Sequence, residues 1–120
     1  MREAIRDIDR LRHIDECIEH IYEFLKGKSF ENMKADVMCF HAVVYNIMII
    51  GEVANMLTKD FRESHPDVPW RDIVDMRNVL VHGYITTNAS LVWDTCTNDL
   101  PLLKKEIVKY IQELVDNVTM

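Results

Sequence analysis

Apolar residues recur at every third or fourth position through Ile5, Ile8, Leu11, Ile14, Ile18, Ile21 and Leu25, with Arg, Asp and Glu filling the positions between. That spacing matches one face of a 3.6-residue turn and predicts an amphipathic helix over residues 4–26. Gly27 suits the C′ position just beyond it. Ser29 can cap a short turn or the start of the next segment. Residues 32–58 predict a second long helix. Val37, Phe40, Val44, Ile47 and Ile50 mark its core face, and Val43 and Met48 widen that face. The centre of this segment is apolar nearly all round, which implies burial on two sides, within a bundle or in a dimer interface. Gly51 in mid-helix costs about 1 kcal/mol against Ala, so its expected use is a close approach by another helix.

The pattern breaks over residues 59–70, where HPDVPW holds two prolines and reads as a loop. A third helix is predicted from about residue 70 to 82, striped by Ile73, Met76, Val79 and Leu80, with Gly83 ending it. Asn88 can cap a fourth helix, ASLVWDTCTNDL. Pro101 is tolerated in a first helical turn, and a fifth helix then runs to about residue 116 on Leu103, Ile107, Tyr110, Ile111 and Leu114. Whether the last two form one kinked rod or two helices stays open. The pattern predicts an all-α antiparallel bundle of four to five helices, one domain over residues 1–120.

Composition narrows the function. Three glycines and three prolines among 120 residues suit long helices. A net charge of −6 and a pI of 5.3 exclude a global basic footprint, so any nucleic-acid contact must use a local cationic spot. Cys17, Cys39 and Cys96 are odd in number and show no metal-ligand spacing; reduced, mostly buried thiols in a cytoplasmic protein are expected. The N-terminus is charged throughout and lacks an apolar secretion segment. VVYNIMIIG is too short and interrupted to be expected to cross a bilayer.

The chemistry gathers in MRNVLVHGY, residues 76–84. Arg77 can grip two phosphate oxygens at once, and His82 titrates near neutrality and can move a proton at a 2′-hydroxyl or a leaving oxygen. RNA carries its own nucleophile, so such a pair needs no metal and no cofactor in principle. On a continuous helix, however, five residues leave the two side chains about 140° apart. The expectation is therefore that the helix unwinds at Val81 or His82, helped by a left-handed Gly83, and swings the imidazole toward the arginine. Asn78 could orient either group or a phosphate. The alternative is structural: cations also favour a helix C-terminus as capping residues.

IGEVANML (residues 50–57), HPDVPW (65–70), MRNVLVHGY, the later Val92-Trp93 pair and NDLPLL (98–103), in this order, resemble the HepT-like branch of the HEPN superfamily. The resemblance spans most of the chain. It implies a dimeric HEPN-like bundle and a metal-independent endoribonuclease toxin of a type VII-like toxin–antitoxin pair, acting on tRNA or mRNA. Its R-x-x-x-x-H-x-Y signature maps onto Arg77, His82 and Tyr84, with arginine and histidine of both subunits meeting at a dimer cleft. It also implies a partner, a nucleotidyltransferase of the MntA type that attaches AMP to Tyr84. Bulk and negative charge there would block an RNA phosphate.

Glu52, beside Gly51 on the most apolar helix, is expected to pair with Arg77 or another cation and to support the site. Trp70 and Trp93 read as core anchors rather than stacking platforms. His13 and His20 share a helical face but lack a third ligand, so no metal site is expected; His65 suggests no role. A second function remains on the table: a non-catalytic module that binds a nucleotide or its nucleotidyltransferase partner without cutting RNA.

Overall fold

The structure is a computed structural model that describes residues 2–83 and 88–119, and among these the regular structure is entirely helical. α1 (Arg2–Leu25) buries Ile8, Leu11, Ile14, Ile18 and Ile21 on the predicted stripe. It stops where Gly27 takes φ 73°, the left-handed conformation that a glycine adopts without strain. Ser29 then caps α2 (Phe30–Ala35): its Oγ accepts from Asn32 N at 3.1 Å, and Asn32 Oδ1 accepts from Ser29 N at 3.2 Å.

The expected single helix over 32–58 is two. Asp36 leaves the helical region (φ −91°, ψ 97°), ending α2 and capping α3 (Val37–Met56) through Oδ1, which accepts from Cys39 N at 3.0 Å. Lys28 holds the other oxygen at 3.0 Å. The backbone and lysine hydrogen bonds keep the Asp36 carboxyl below its usual pKa. α3 packs against both α1 and a later helix, α5 (Trp70–His82), which explains its near-continuous apolarity. By length and composition α3 is apolar enough to cross a membrane, with a mean hydropathy of 1.7 over its most apolar 18 residues. Half of that stretch is instead buried inside the bundle.

The predicted loop over 59–70 contains a short helix, α4 (Lys59–Ser64), capped by Thr58, whose Oγ1 accepts from Phe61 N at 3.2 Å. Asp7, buried in the first turns of α1, accepts from both Thr58 N (3.1 Å) and Thr58 Oγ1 (2.7 Å). This ties the far end of α3 to the start of the chain. α5 follows and runs the full predicted length.

Asn88 caps α6 (Ala89–Asp94), accepting from Ser90 N at 2.8 Å. The question of one rod or two has a definite answer. α6 passes through a π turn, residues 95–99, directly into α7 (Leu100–Thr119), with Leu100 N donating to Thr95 O in the wide π pattern. A wider turn before Pro101 lets the chain pass a residue that has no N–H and would clash with a regular α-helical carbonyl. α7 lies on α1, where Lys104 bridges Asp15 (2.6 Å) and Glu19 (2.5 Å). The bundle is long, 49 × 29 × 20 Å, because its main helices are.

Candidate functional site at the C-terminal end of α5

Arg77 is placed by the glycine opposite it. A Cβ on Gly51 would stand 2.3 Å from Arg77 Cβ and 2.9 Å from Ile73 O. No side chain fits there, so α3 and α5 cross at this point as closely as two backbones can. The missing side chain was predicted to serve such an approach, and the helix it admits is the one that carries the arginine. Arg77 is half-buried, and its Nη1 donates to Asn78 Oδ1 at 3.1 Å, which leaves most of the guanidinium donors uncommitted.

His82 is the last residue of α5 and is exposed. The expected unwinding does not occur. Gly83 N still donates to Val79 O at 2.7 Å, and Gly83 sits at φ −110°, ψ 23°, outside the left-handed region. The helix closes its last regular hydrogen bond, so nothing swings the imidazole back. Arg77 and His82 therefore point to faces about 140° apart within one protomer. Tyr84 lies outside the described residues.

Glu52 departs from expectation as well. It is exposed and forms no ion pair among the described residues. One position past Gly51 the helix has turned about 100°, away from the crossing and into solvent, so this carboxylate needs no buried partner. Among the described residues, no three His, Cys, Asp or Glu side chains gather as metal ligands.

Around this helix end lies an apolar surface. Tyr45 is 62% exposed and Val79 56%. A hollow of about 360 Å³ opens between α3 and α5, lined by His41, Tyr45, Met48, Leu80 and Val81. Exposed apolar area of this kind, beside a cation and a titratable base, marks an interaction surface rather than a solvated face.

The other end of α5 holds a histidine that gave no signal of its own. His65 stacks on Phe61 at 4.1 Å and meets Tyr110 edge-on at 4.5 Å. Its Nδ1 faces Phe61 O at 2.8 Å and its Nε2 faces Glu113 Oε1 at 3.1 Å. Trp70, buried as expected, donates from Nε1 to His65 O at 2.9 Å. The HPDVPW stretch is thus an aromatic corner that sets where α5 starts. Trp93 meets Phe30 edge-on at 6.0 Å, half-buried.

A family model described as ribonuclease HepT-like matches residues 14–110, which take in α1 from Ile14, the Gly51 crossing and all of α5. The chain belongs to the HepT-like ribonuclease family. Curated relatives agree with this. The chain is 38% identical over 103 residues to a putative RNase of Caldanaerobacter subterraneus subsp. tengcongensis, covering 86% of this chain and 92% of the relative. It is 37% identical over 101 residues to a probable ribonuclease HepT of Thermococcus cleftensis, covering 84% and 92%. It is 36% identical over 107 residues to a gamma-glutamylcyclotransferase and putative RNase of Methanocaldococcus jannaschii, covering 89% of this chain and 48% of that longer protein. No solved structure matches the chain. Membership in the HepT-like family and these names support an RNA-cleaving enzyme.

Proposed function

We propose that the chain is a metal-independent endoribonuclease whose site is completed only when two copies meet. The observation that carries this is geometric. Arg77 and His82 lie on different faces of an intact helix, yet both stand at the end of α5, near the exposed Tyr45 and Val79. A two-fold pairing over that apolar surface would bring the arginine of one protomer to the histidine of the other. Arg77 would hold the scissile phosphate, with Asn78 orienting the guanidinium, and His82 would move a proton at the 2′-hydroxyl or the leaving oxygen. The 2′-oxygen attacks phosphorus as the 5′-oxygen leaves, giving a 2′,3′-cyclic phosphate and a free 5′-hydroxyl; no metal is required to balance the step.

The same reading makes the chain the toxin of a toxin–antitoxin pair in the cytoplasm, restrained by a nucleotidyltransferase that adenylylates Tyr84. Tyr84 is two residues past His82, so an added AMP would bring negative charge to the place where an RNA phosphate binds.

The test is cleavage of total tRNA by the purified chain in EDTA, with Arg77→Ala and His82→Ala assayed separately and as a refolded mixture. Wild type should produce fragments, and each variant alone should not. A mixture contains heterodimers with one intact Arg–His pair, so it should recover about a quarter of the wild-type rate. A mixture as inactive as its parts would sink the composite site. Silence from the wild type would favour the non-catalytic binding module.

A further inference from the structure

The helical ring is not closed. α1 packs on α3 and α7, and α5 packs on α3, but α5 and α7 do not pack along each other. Between them runs a slot of about 520 Å³, the size of a pocket that takes several apolar groups at once. Ile47, Ile50, Ile73, Met76, Leu100 and Leu103 line its apolar floor. Leu102, 69% exposed, also lines it. The π turn contributes Thr95 and Asp99 to one wall; such turns recur at functional sites.

The polar lining of this slot is acidic. Asp67, Asp72, Asp99 and Glu106 lie along it against a single cation, Lys105. Glu106 Oε2 is out of solvent beside the Tyr110 hydroxyl, and Lys109 Nζ stands 4.0 Å from it. Nearby, burial and the charges of Glu106, Asp67 and Glu113 push the Tyr110 hydroxyl up to about 12. Carboxylates outnumber cations at this end of the slot, so the potential there is negative. It repels RNA, and it disfavours a second copy of a chain whose own charge is −6.

We propose that the slot between α5 and α7 docks an amphipathic helix of a partner protein, its apolar face on the Ile47–Leu103 floor and its Lys or Arg residues on the Asp72, Asp99 and Glu106 rim. A helix of this kind would close the bundle, balance the acidic rim and leave the Arg77–His82 end open. The surface is separate from that end, and its occupancy does not depend on RNA cleavage.

The probe is a fluorescein-labelled peptide with leucines at helical spacing and lysines elsewhere, titrated with the full chain by anisotropy. A peptide with glutamates in place of the lysines is the control. The lysine peptide should saturate and the glutamate peptide should not. Asp72→Lys combined with Asp99→Lys should weaken binding at least about tenfold, and Leu102→Asp at least about threefold. All three positions are exposed, and circular dichroism should be unchanged. No saturable binding would overturn the proposal. So would loss on charge reversal alone, because that is attraction to any acidic surface. So would conversion of a dimer to a monomer by Leu102→Asp in sedimentation, which would make a second copy the occupant.

Discussion

α5 begins in one environment and ends in another. At its start, Trp70 and Val68 are buried, His65 is held between Phe61 and Tyr110, and both ring nitrogens of His65 face acceptors. At its end, His82 and Val79 are exposed and Arg77 has spent one donor on its neighbour. Each end carries a histidine. At the first, packing and hydrogen bonds are satisfied within the chain, which is what a stability element requires. At the second, polar and apolar groups stay exposed among the described residues, and this is the end where the proposed function puts the reaction. Resemblance to a family can nominate both histidines; only their surroundings tell anchor from reagent.

The sharpest way to break this contrast is to truncate each histidine. His82→Ala should lower RNA cleavage by about 10²–10⁴-fold, the usual loss for a general acid or base, with the melting temperature unchanged. His65→Ala should do the reverse. It removes a ring packed on Phe61, Tyr110 and the α5 start, and should cost about 2–4 kcal/mol of stability, while cleavage well below the melting point stays near wild type. Chemical denaturation and tRNA cleavage on both variants decide it. A large stability loss in His82→Ala would return that residue to the role of helix cap.

The middle of α5 gives the next largest effect. Gly51→Ala ordinarily gains helix propensity, worth up to about 1 kcal/mol. Here the new methyl would meet Arg77 Cβ and a backbone carbonyl, neither of which can swing aside. Overpacking of this kind costs about 1–3 kcal/mol, so the net change should be destabilising. It should also displace Arg77 and reduce cleavage together with stability. A Gly51→Ala protein more stable than wild type would mean that the helices part without harm and that the close crossing does not position the arginine.

Much of this could be read along the chain, and the misses have physical causes. The stripes of α1, α5 and α7 and the caps Gly27, Ser29 and Asn88 are local signals, set by residues within a turn of each other. Gly51 was legible as a close approach because nothing local justifies a glycine there. The break at Asp36 and the helix capped by Thr58 were missed although both carry a side-chain acceptor three residues before the N–H it caps. Apolar periodicity across 32–58 and the prolines after 65 outweighed those short signals. Glu52 was misjudged because an apolar neighbourhood in sequence is not burial in space: one residue of rotation carries it to solvent. His65 could not have been assigned, since Glu113 and Tyr110 reach it from the far end of the chain. For the site, the helix was expected to bend and join Arg77 to His82. It stays straight, which leaves the two about 140° apart within one protomer.

The smallest effect at neutral pH isolates the anchor end. Tyr110 is buried, with its hydroxyl beside the Glu106 carboxylate. Tyr110→Phe keeps the ring contacts to Phe61, His65 and Trp70 and removes only that hydroxyl, so stability at pH 7 should change by no more than about 1 kcal/mol. Alkaline solution separates the two proteins. The folded hydroxyl titrates at about 12 because burial and the charges of Glu106, Asp67 and Glu113 resist the phenolate, whereas an unfolded tyrosine titrates near 10. Between those values the folded state holds a proton that the unfolded state has released. The resulting stability is fully present below pH 10 and is lost as pH rises toward 12. Wild type should accordingly lose stability more steeply than Tyr110→Phe between pH 10 and 12, measured by urea unfolding at each pH. Parallel curves would mean that water or a counter-ion already screens this corner, and that the α5 start is less sealed than its packing implies. The Arg77–His82 end should be indifferent to the substitution, because no contact joins it to Tyr110 except through the length of the helix.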